Sequence, residues 1–117
     1  MQIIMLKSKI HRATLTATEL DYEGSIAIDK NLLEKADITP GEQVHVLNLS
    51  NGSRLITYVI EAEAGSGTIM LNGPAAREGY VGDKVVILTY CHVGREEVSS
   101  HRPNIVKIGE GNTFPSD

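Results

Sequence analysis

The chain has 117 residues, with 15 acidic against 11 basic side chains, a formal charge of −4, one cysteine, one phenylalanine and no tryptophan. That length holds one domain with a modest core, to which burial in an oligomer would add. The acidic balance argues against a general nucleic-acid surface, and the shortage of aromatics leaves no platform for stacking single strands. Cys91 alone cannot close an intramolecular disulfide, and no apolar run approaches a membrane span or a signal sequence. The expectation is a cytoplasmic protein with neither nucleic acid nor membrane as partner.

From Gln2 to Thr16, β-branched and apolar residues alternate with polar ones and predict a strand. In it Lys9 and His11 point the same way, as a solvated face or as a cationic wall for an anionic substrate. Thr16 and Glu19 have the form of a capping box, which predicts a single helical turn before Asp21. Tyr22, Glu23, Gly24 and Ser25 then interrupt the apolar pattern, and Ile26 to Ile28 predicts a short buried strand with Ser25 at its mouth.

An isolated Gly-Ser is ordinarily a turn. It also permits one specific reaction, in which the Ser25 hydroxyl attacks the Gly24 carbonyl and moves the acyl group from nitrogen to oxygen. Loss of the Ser25 Cα proton then expels the Gly24 carboxylate, and water converts the remaining dehydroalanine to ammonia and a pyruvoyl group. Glycine suits the position because the missing Cβ leaves room for strained dihedrals and close approach. A hydroxyl needs neighbours to become a competent nucleophile.

Asp29 is the predicted N-cap of a helix with Leu32, Leu33 and Ala36 inward, ended by Thr39, Pro40 and Gly41. Val44–Leu49 and Arg54–Ala62 are strands joined through Asn51-Gly52, the strongest short hairpin signal. The second is apolar on both faces, which predicts burial on both, against strands or another subunit. Arg54 and Tyr58 share one face with Cα atoms about 13 Å apart at about 3.3 Å per residue, and Thr57 faces the other way. A guanidinium pairs bidentately with a carboxylate, worth roughly 4 kcal/mol at about 4 Å and an effective dielectric of about 20, before desolvation. Arg54 trimming the hairpin and Tyr58 filling core is the plainer alternative.

Gly65, Ser66 and Gly67 predict a hairpin loop, followed by a strand over Thr68–Leu71. Small residues in Asn72, Gly73, Pro74, Ala75 and Ala76 would let backbone approach a ligand, although Pro74 offers no amide donor. Gly79–Asp83 is a turn, Lys84–Thr89 a buried strand with Cys91 near its end, Glu96–Val98 a short helix, Asn104–Ile108 a final strand and Gly109–Asp117 a loose tail. Metal binding fails on spacing, because His11, His45, His92 and His101 form no His-x-His or His-Glu-x-x-His pattern. Ser25 also lacks the second glycine of a hydrolase nucleophile elbow.

Taken together, Lys9, His11, Tyr22, Glu23, Gly24 and Ser25, then Asn51, Gly52, Arg54, Thr57 and Tyr58, then Asn72, Gly73, Ala75 and Ala76 resemble the pyruvoyl-dependent aspartate 1-decarboxylases. The resemblance runs from Met5 over nearly the whole chain and fades after His101, Arg102, Pro103 and Asn104; Pro74 stands where that family often has alanine. It implies an all-β fold, a double-psi β-barrel with short helices spanning residues 1–108, assembled as a homotetramer with active sites between subunits. It implies cleavage between Gly24 and Ser25 into a β chain, 1–24, and an α chain, 25–117. The cofactor implied is a covalent pyruvoyl group derived from Ser25, with no PLP and no metal. The implied reaction is decarboxylation of L-aspartate to β-alanine for pantothenate and coenzyme A synthesis, through a Schiff base between the substrate amine and the pyruvoyl ketone. By the same resemblance, Thr57 stabilises the processing oxyanion and binds substrate, and Arg54 clamps a carboxylate. Lys9 and His11 add positive potential, and Tyr58 is the proton donor. Asn72, Gly73, Pro74 and Ala75 lie beside the pyruvoyl group. The need for a maturation factor stays open. A non-catalytic small β-barrel binding module, or a structural homo-oligomer, fits the periodicity equally well.

Overall fold

Alternation of buried and solvent-facing side chains builds a long first strand, β1 (Gln2–Thr14), with Ser8, Ile10 and Ala13 inward and Lys9 and His11 together on the outer side. Arg12, at φ 65°, absorbs an irregularity between Ile10 and Ala13. The structure, a computed structural model, describes residues 1–114. After β1 come β2 (Ala17–Glu19), β3 (Ser25–Asp29), α1 (Lys30–Ala36), β4 (Gln43–Asn48), β5 (Arg54–Ala62), β6 (Ile69–Asn72), β7 (Lys84–Gly94) and β8 (Asn104–Lys107). Short 3-10 helices span Gly73–Glu78, Arg95–Ser100 and Glu110–Asn112.

The strands form one mixed sheet in the order β2-β6-β3-β5-β4-β7-β1-β8. Three neighbouring pairs are parallel, β1 with β8, β2 with β6 and β3 with β5, and the others antiparallel. The sheet wraps one apolar core that includes Ile10, Leu15, Ile26, Ile28, Val59 and Ile87, closed at one side by Leu32, Leu33 and Ala36 of α1. Asp29 is the N-cap, its Oδ1 accepting from Asn31 N at 2.8 Å, and α1 stops at Asp37, which adopts the left-handed conformation two residues before Thr39. The same buried carboxylate accepts the amides of Gly65 (3.1 Å) and Gly67 (2.8 Å), so one side chain caps a helix and pins a loop.

Four expectations are corrected. No helical turn follows Thr16: its hydroxyl donates to Ile69 O and accepts Ile69 N, and Ala17–Glu19 pairs in parallel with β6. A strand partner satisfies these backbone groups, which removes the need for a cap. Gly65–Gly67 does not close a hairpin, because β3 lies between β5 and β6 and the segment is a crossover. The outer face of β5 is not covered by other strands of the chain, Ile56 being 57% exposed, so of the two covers expected for it only another subunit is left. Finally, the C-terminal segment belongs to the barrel as far as Asn112, which is buried, donates to Thr14 O and Gly67 O and accepts from Thr14 N. Residues 115–117 of the expected tail lie outside the described residues.

Candidate active site

Ser25 opens β3 and is only 1% exposed. Its hydroxyl donates to Glu23 O at 3.3 Å and accepts from Asn72 Nδ2 at 3.0 Å, while register pairs Ser25 directly with Asn72 across the β3–β6 ladder. Asn72 is fully buried and its Oδ1 has no partner. Unpaired buried acceptors cost stability, and they concentrate where a site keeps capacity for something else. On the other side of Ser25, β5 runs parallel with Ile26 opposite Val59. One residue earlier on each strand, Ser25 and Tyr58 therefore flank one another on the same face, so Asn72, Ser25 and Tyr58 form a row across three adjacent strands.

The Gly73–Glu78 helix starts against the peptide just before Ser25. Gly73 has φ +64°, and a Cβ built on it would sit 2.6 Å from Tyr22 O, 2.8 Å from Gly24 N and 2.9 Å from Gly24 Cα. Only glycine permits both that dihedral and that approach. Pro74 follows the contact along: its Cδ would lie 3.5 Å from a Cβ on Gly24. Thr57, on the opposite side of β5 from Tyr58, lines a cleft with Gly24, Pro74, Ala75 and Glu78. Gly24, Ser25, Thr57, Tyr58, Asn72, Gly73, Pro74 and Ala75 are thus gathered at one end of β3, β5 and β6.

Lys9, His11 and Arg54 are not. Lys9 and His11 lie on β1, four strands from β3 in the sheet order, which at about 4.8 Å per step is roughly 19 Å along the surface. Burial first, then the Lys9, Arg12 and Lys107 cations, holds the His11 imidazole below its ordinary value of 6.5. At neutral pH the ring is uncharged, so the positive potential there comes from its cationic neighbours rather than from His11. Arg54 begins β5, four residues before Tyr58, and donates from Nη1 to His45 Nδ1 at 3.2 Å; His45 in turn meets Tyr90 edge-on, with ring centroids 5.0 Å apart. Sequence reading overlooked His45, although the Asn-Gly hairpin sets a register that puts it opposite Ile56, diagonal to Arg54. Asn48 was overlooked too, and no sequence signal marks it: its partners Glu78 and Asp83 are 30 and 35 residues away. Among the described residues no cluster of His, Cys, Asp and Glu could hold a metal.

A small mixed β-barrel whose buried serine is pressed under a glycine-anchored loop defines a class of proteins with a tightly held Gly-Ser peptide at a strand mouth. The sequence pattern of the family described as aspartate decarboxylase matches residues 1–115, and the chain belongs to that family. It is 61% identical over 104 residues to an aspartate 1-decarboxylase of Dehalococcoides mccartyi, covering 89% of this chain and 84% of that protein. The corresponding protein of Clostridium acetobutylicum is 53% identical over 114 residues (97% and 90%), and that of Caulobacter vibrioides 52% over 112 (96% and 95%). Among solved structures, the rationally designed double-psi barrel mkDPBB_sym_86 superposes with a TM-score of 0.50 at 21% identity, over 66% of this chain and 90% of the design. The expected double-psi β-barrel fold is borne out.

Proposed function

We propose that this chain is a self-processing aspartate 1-decarboxylase that converts L-aspartate to β-alanine and carbon dioxide in the cytoplasm, supplying pantothenate synthesis. The observation that carries the reading is the Ser25 hydroxyl, buried at the strand mouth between the Asn72 amide and the Glu23 carbonyl, directly after a glycine overlain by the Gly73–Glu78 helix. Membership of a decarboxylase family disfavours a non-catalytic binding module.

In processing, the Ser25 oxygen attacks the Gly24 carbonyl carbon, the Ser25 nitrogen leaves as an amine, and an ester replaces the peptide. Thr57, which lines the same cleft as Gly24, would donate to the oxyanion. Removal of the Ser25 Cα proton expels the Gly24 carboxylate, and water replaces the nitrogen, which departs as ammonia. A pyruvoyl group at position 25 fits the residues present. The Ser25 Oγ leaves with the Gly24 carboxylate, so the group would sit beside an Asn72 amide that has lost that partner and whose Oδ1 is already unpaired. When formed, its ketone supplies the electron sink for decarboxylation.

The chain's own residues then bind and orient. Tyr58, flanking position 25 on β5, returns a proton to the carbon that loses carbon dioxide. Arg54 and Lys9 hold the substrate's charge. Lys9 lies four strands along the sheet from Ser25 of the same chain, and the open outer face of β5, which carries Arg54 on the strand beside Ser25, is apolar at Ile56. These positions support a homotetramer in which a neighbouring subunit supplies Lys9 and covers that face.

Intact mass of the denatured purified protein after warm incubation tests the reading without any maturation factor. The expected products are a 1–24 fragment and a 25–117 fragment blocked by a carbonyl, and β-alanine appears from L-aspartate. Ser25→Ala stays whole and inactive. An active preparation consisting of one uncut chain overturns it.

A further inference from the structure

The Gly73–Glu78 helix is held at both ends. Its start is fixed by Asn72 and Gly73, already described. Its end is fixed by the Glu78 carbonyl oxygen, which accepts two side-chain amides, Asn48 Nδ2 at 3.1 Å and Asn51 Nδ2 at 3.0 Å. Asn48 is 4% exposed and fully engaged: Nδ2 also donates to Asp83 Oδ2 at 2.9 Å, and Oδ1 accepts from Ser50 N at 2.8 Å. Asp83 is braced in turn by the Tyr80 amide, and the Asn48 amide first, then that of Tyr80, holds its carboxyl below the usual range. Packing here leaves no slack, since a Cβ on Gly79 would meet Asn48 Nδ2 at 3.0 Å and Leu15 Cδ1 at 2.6 Å.

Asn48 ends β4, and six residues later β5 begins, carrying Thr57. The cleft that Thr57 shares with Gly24 is lined on its other side by Pro74, Ala75 and Glu78. One buried amide therefore joins the strand pair that presents the oxyanion donor to the helix that presses on the scissile peptide. We propose that Asn48 is a positioning residue for self-cleavage: its grip on the Glu78 carbonyl sets the distance between Thr57 and the Gly24–Ser25 bond. This rests on the processing reading above. Misplacing reacting groups by about 1 Å costs on the order of a hundredfold in rate, so releasing one end of the helix has a measurable effect.

The experiment follows cleavage of freshly purified precursor by intact mass for wild type, Asn48→Ala, Asn51→Ala, Asn48→Asp and Val46→Ala. Val46 is a core residue of the same strand, opposite Leu55 and Ile87, whose side chain makes no hydrogen bond to these groups, so it reports the effect of destabilisation alone. Asn48→Ala is expected to cleave at least about tenfold more slowly than wild type, well beyond Val46→Ala at a comparable loss of melting temperature, and Asn51→Ala to show a smaller slowing. Asn48→Asp supplies a signature that loss of stability alone does not. Beside the carboxylate of Asp83, with the Lys84 ammonium turned to Thr14, the new carboxyl donates to Glu78 O only while protonated. Its cleavage rate relative to wild type falls as pH rises from about 5 to about 8. If wild type decarboxylates L-aspartate while still uncut, the processing reading fails. If wild type cleaves and Asn48→Ala matches Val46→Ala, or the Asn48→Asp ratio is flat with pH, the role of Asn48 is refuted.

Discussion

Replacing Gly73 by alanine separates close approach from backbone strain at the scissile peptide. The left-handed dihedral alone costs a non-glycine residue about 1–2 kcal/mol. The new Cβ also meets Tyr22 O at 2.6 Å, against about 3.3 Å for an ordinary C···O contact, so the helix and the Tyr22–Gly24 segment must part by roughly 0.7 Å. Forcing atoms into a packed site adds about 1–3 kcal/mol, for a total of about 2–5 kcal/mol. Gly111 is the control, with φ +67° and nothing within 4 Å of its Cβ, so Gly111→Ala bears the dihedral cost alone. Stability is measured by urea unfolding in a Ser25→Ala background, which keeps the chain whole, and cleavage by a mass time course with Ser25 present. Gly73→Ala is expected to lose more stability than Gly111→Ala and to cleave about ten- to a hundredfold more slowly, while Gly111→Ala cleaves normally. Equal stability losses with wild-type cleavage in both would show that the contact between Gly73 and Gly24 does not set the geometry of processing.

Tyr58→Phe is expected to cleave normally yet decarboxylate about a hundredfold more slowly, because only the proton donor is lost; normal turnover of L-aspartate would remove Tyr58 from that role. Asp29→Ala strips acceptors from the amides of Asn31, Gly65 and Gly67 and is expected to cost about 3 kcal/mol in the uncleaved background, with Asp29→Asn milder; a loss under about 1 kcal/mol would contradict the clamp. His11 titrates below 6.5 in the folded chain because burial and then Lys9, Arg12 and Lys107 disfavour its charged form. The unfolded chain thus binds the proton more readily, so the associated stability is complete above pH 6.5 and is lost as pH falls through the folded value. His11→Gln should flatten the stability profile below that pH, and an unchanged slope would refute the assignment.

Local chemistry was legible where a neighbour in sequence decides the outcome. Asp29 caps α1 because the amide it satisfies there follows it by two residues, and β4 turns into β5 through Asn51-Gly52, in a four-residue loop where Gly52 takes the positive φ. The Gly24–Ser25 peptide stood out for the same reason, since the hydroxyl and the carbonyl it would attack are adjacent. Thr16 and Glu19 misled because a capping pattern and a strand edge offer the same hydroxyl to the backbone, and β6, over fifty residues later, took it. Gly65–Gly67 misled because a glycine turn does not say whether the strands it joins will pair.

The amino-acid order alone determined the strands other than β2, the helix α1, the residue types of the site and the bond that can rearrange, all matters of periodicity and adjacent chemistry. The folded chain decided the rest. Parallel pairing of β3 with β5 set Tyr58 beside Ser25, the crossover to β6 put Asn72 on its other side, and Asn48 and Gly73 fixed the helix above Gly24. Those are contacts across thirty or more residues, and only packing around one core selects among the many pairings a chain of short strands could make.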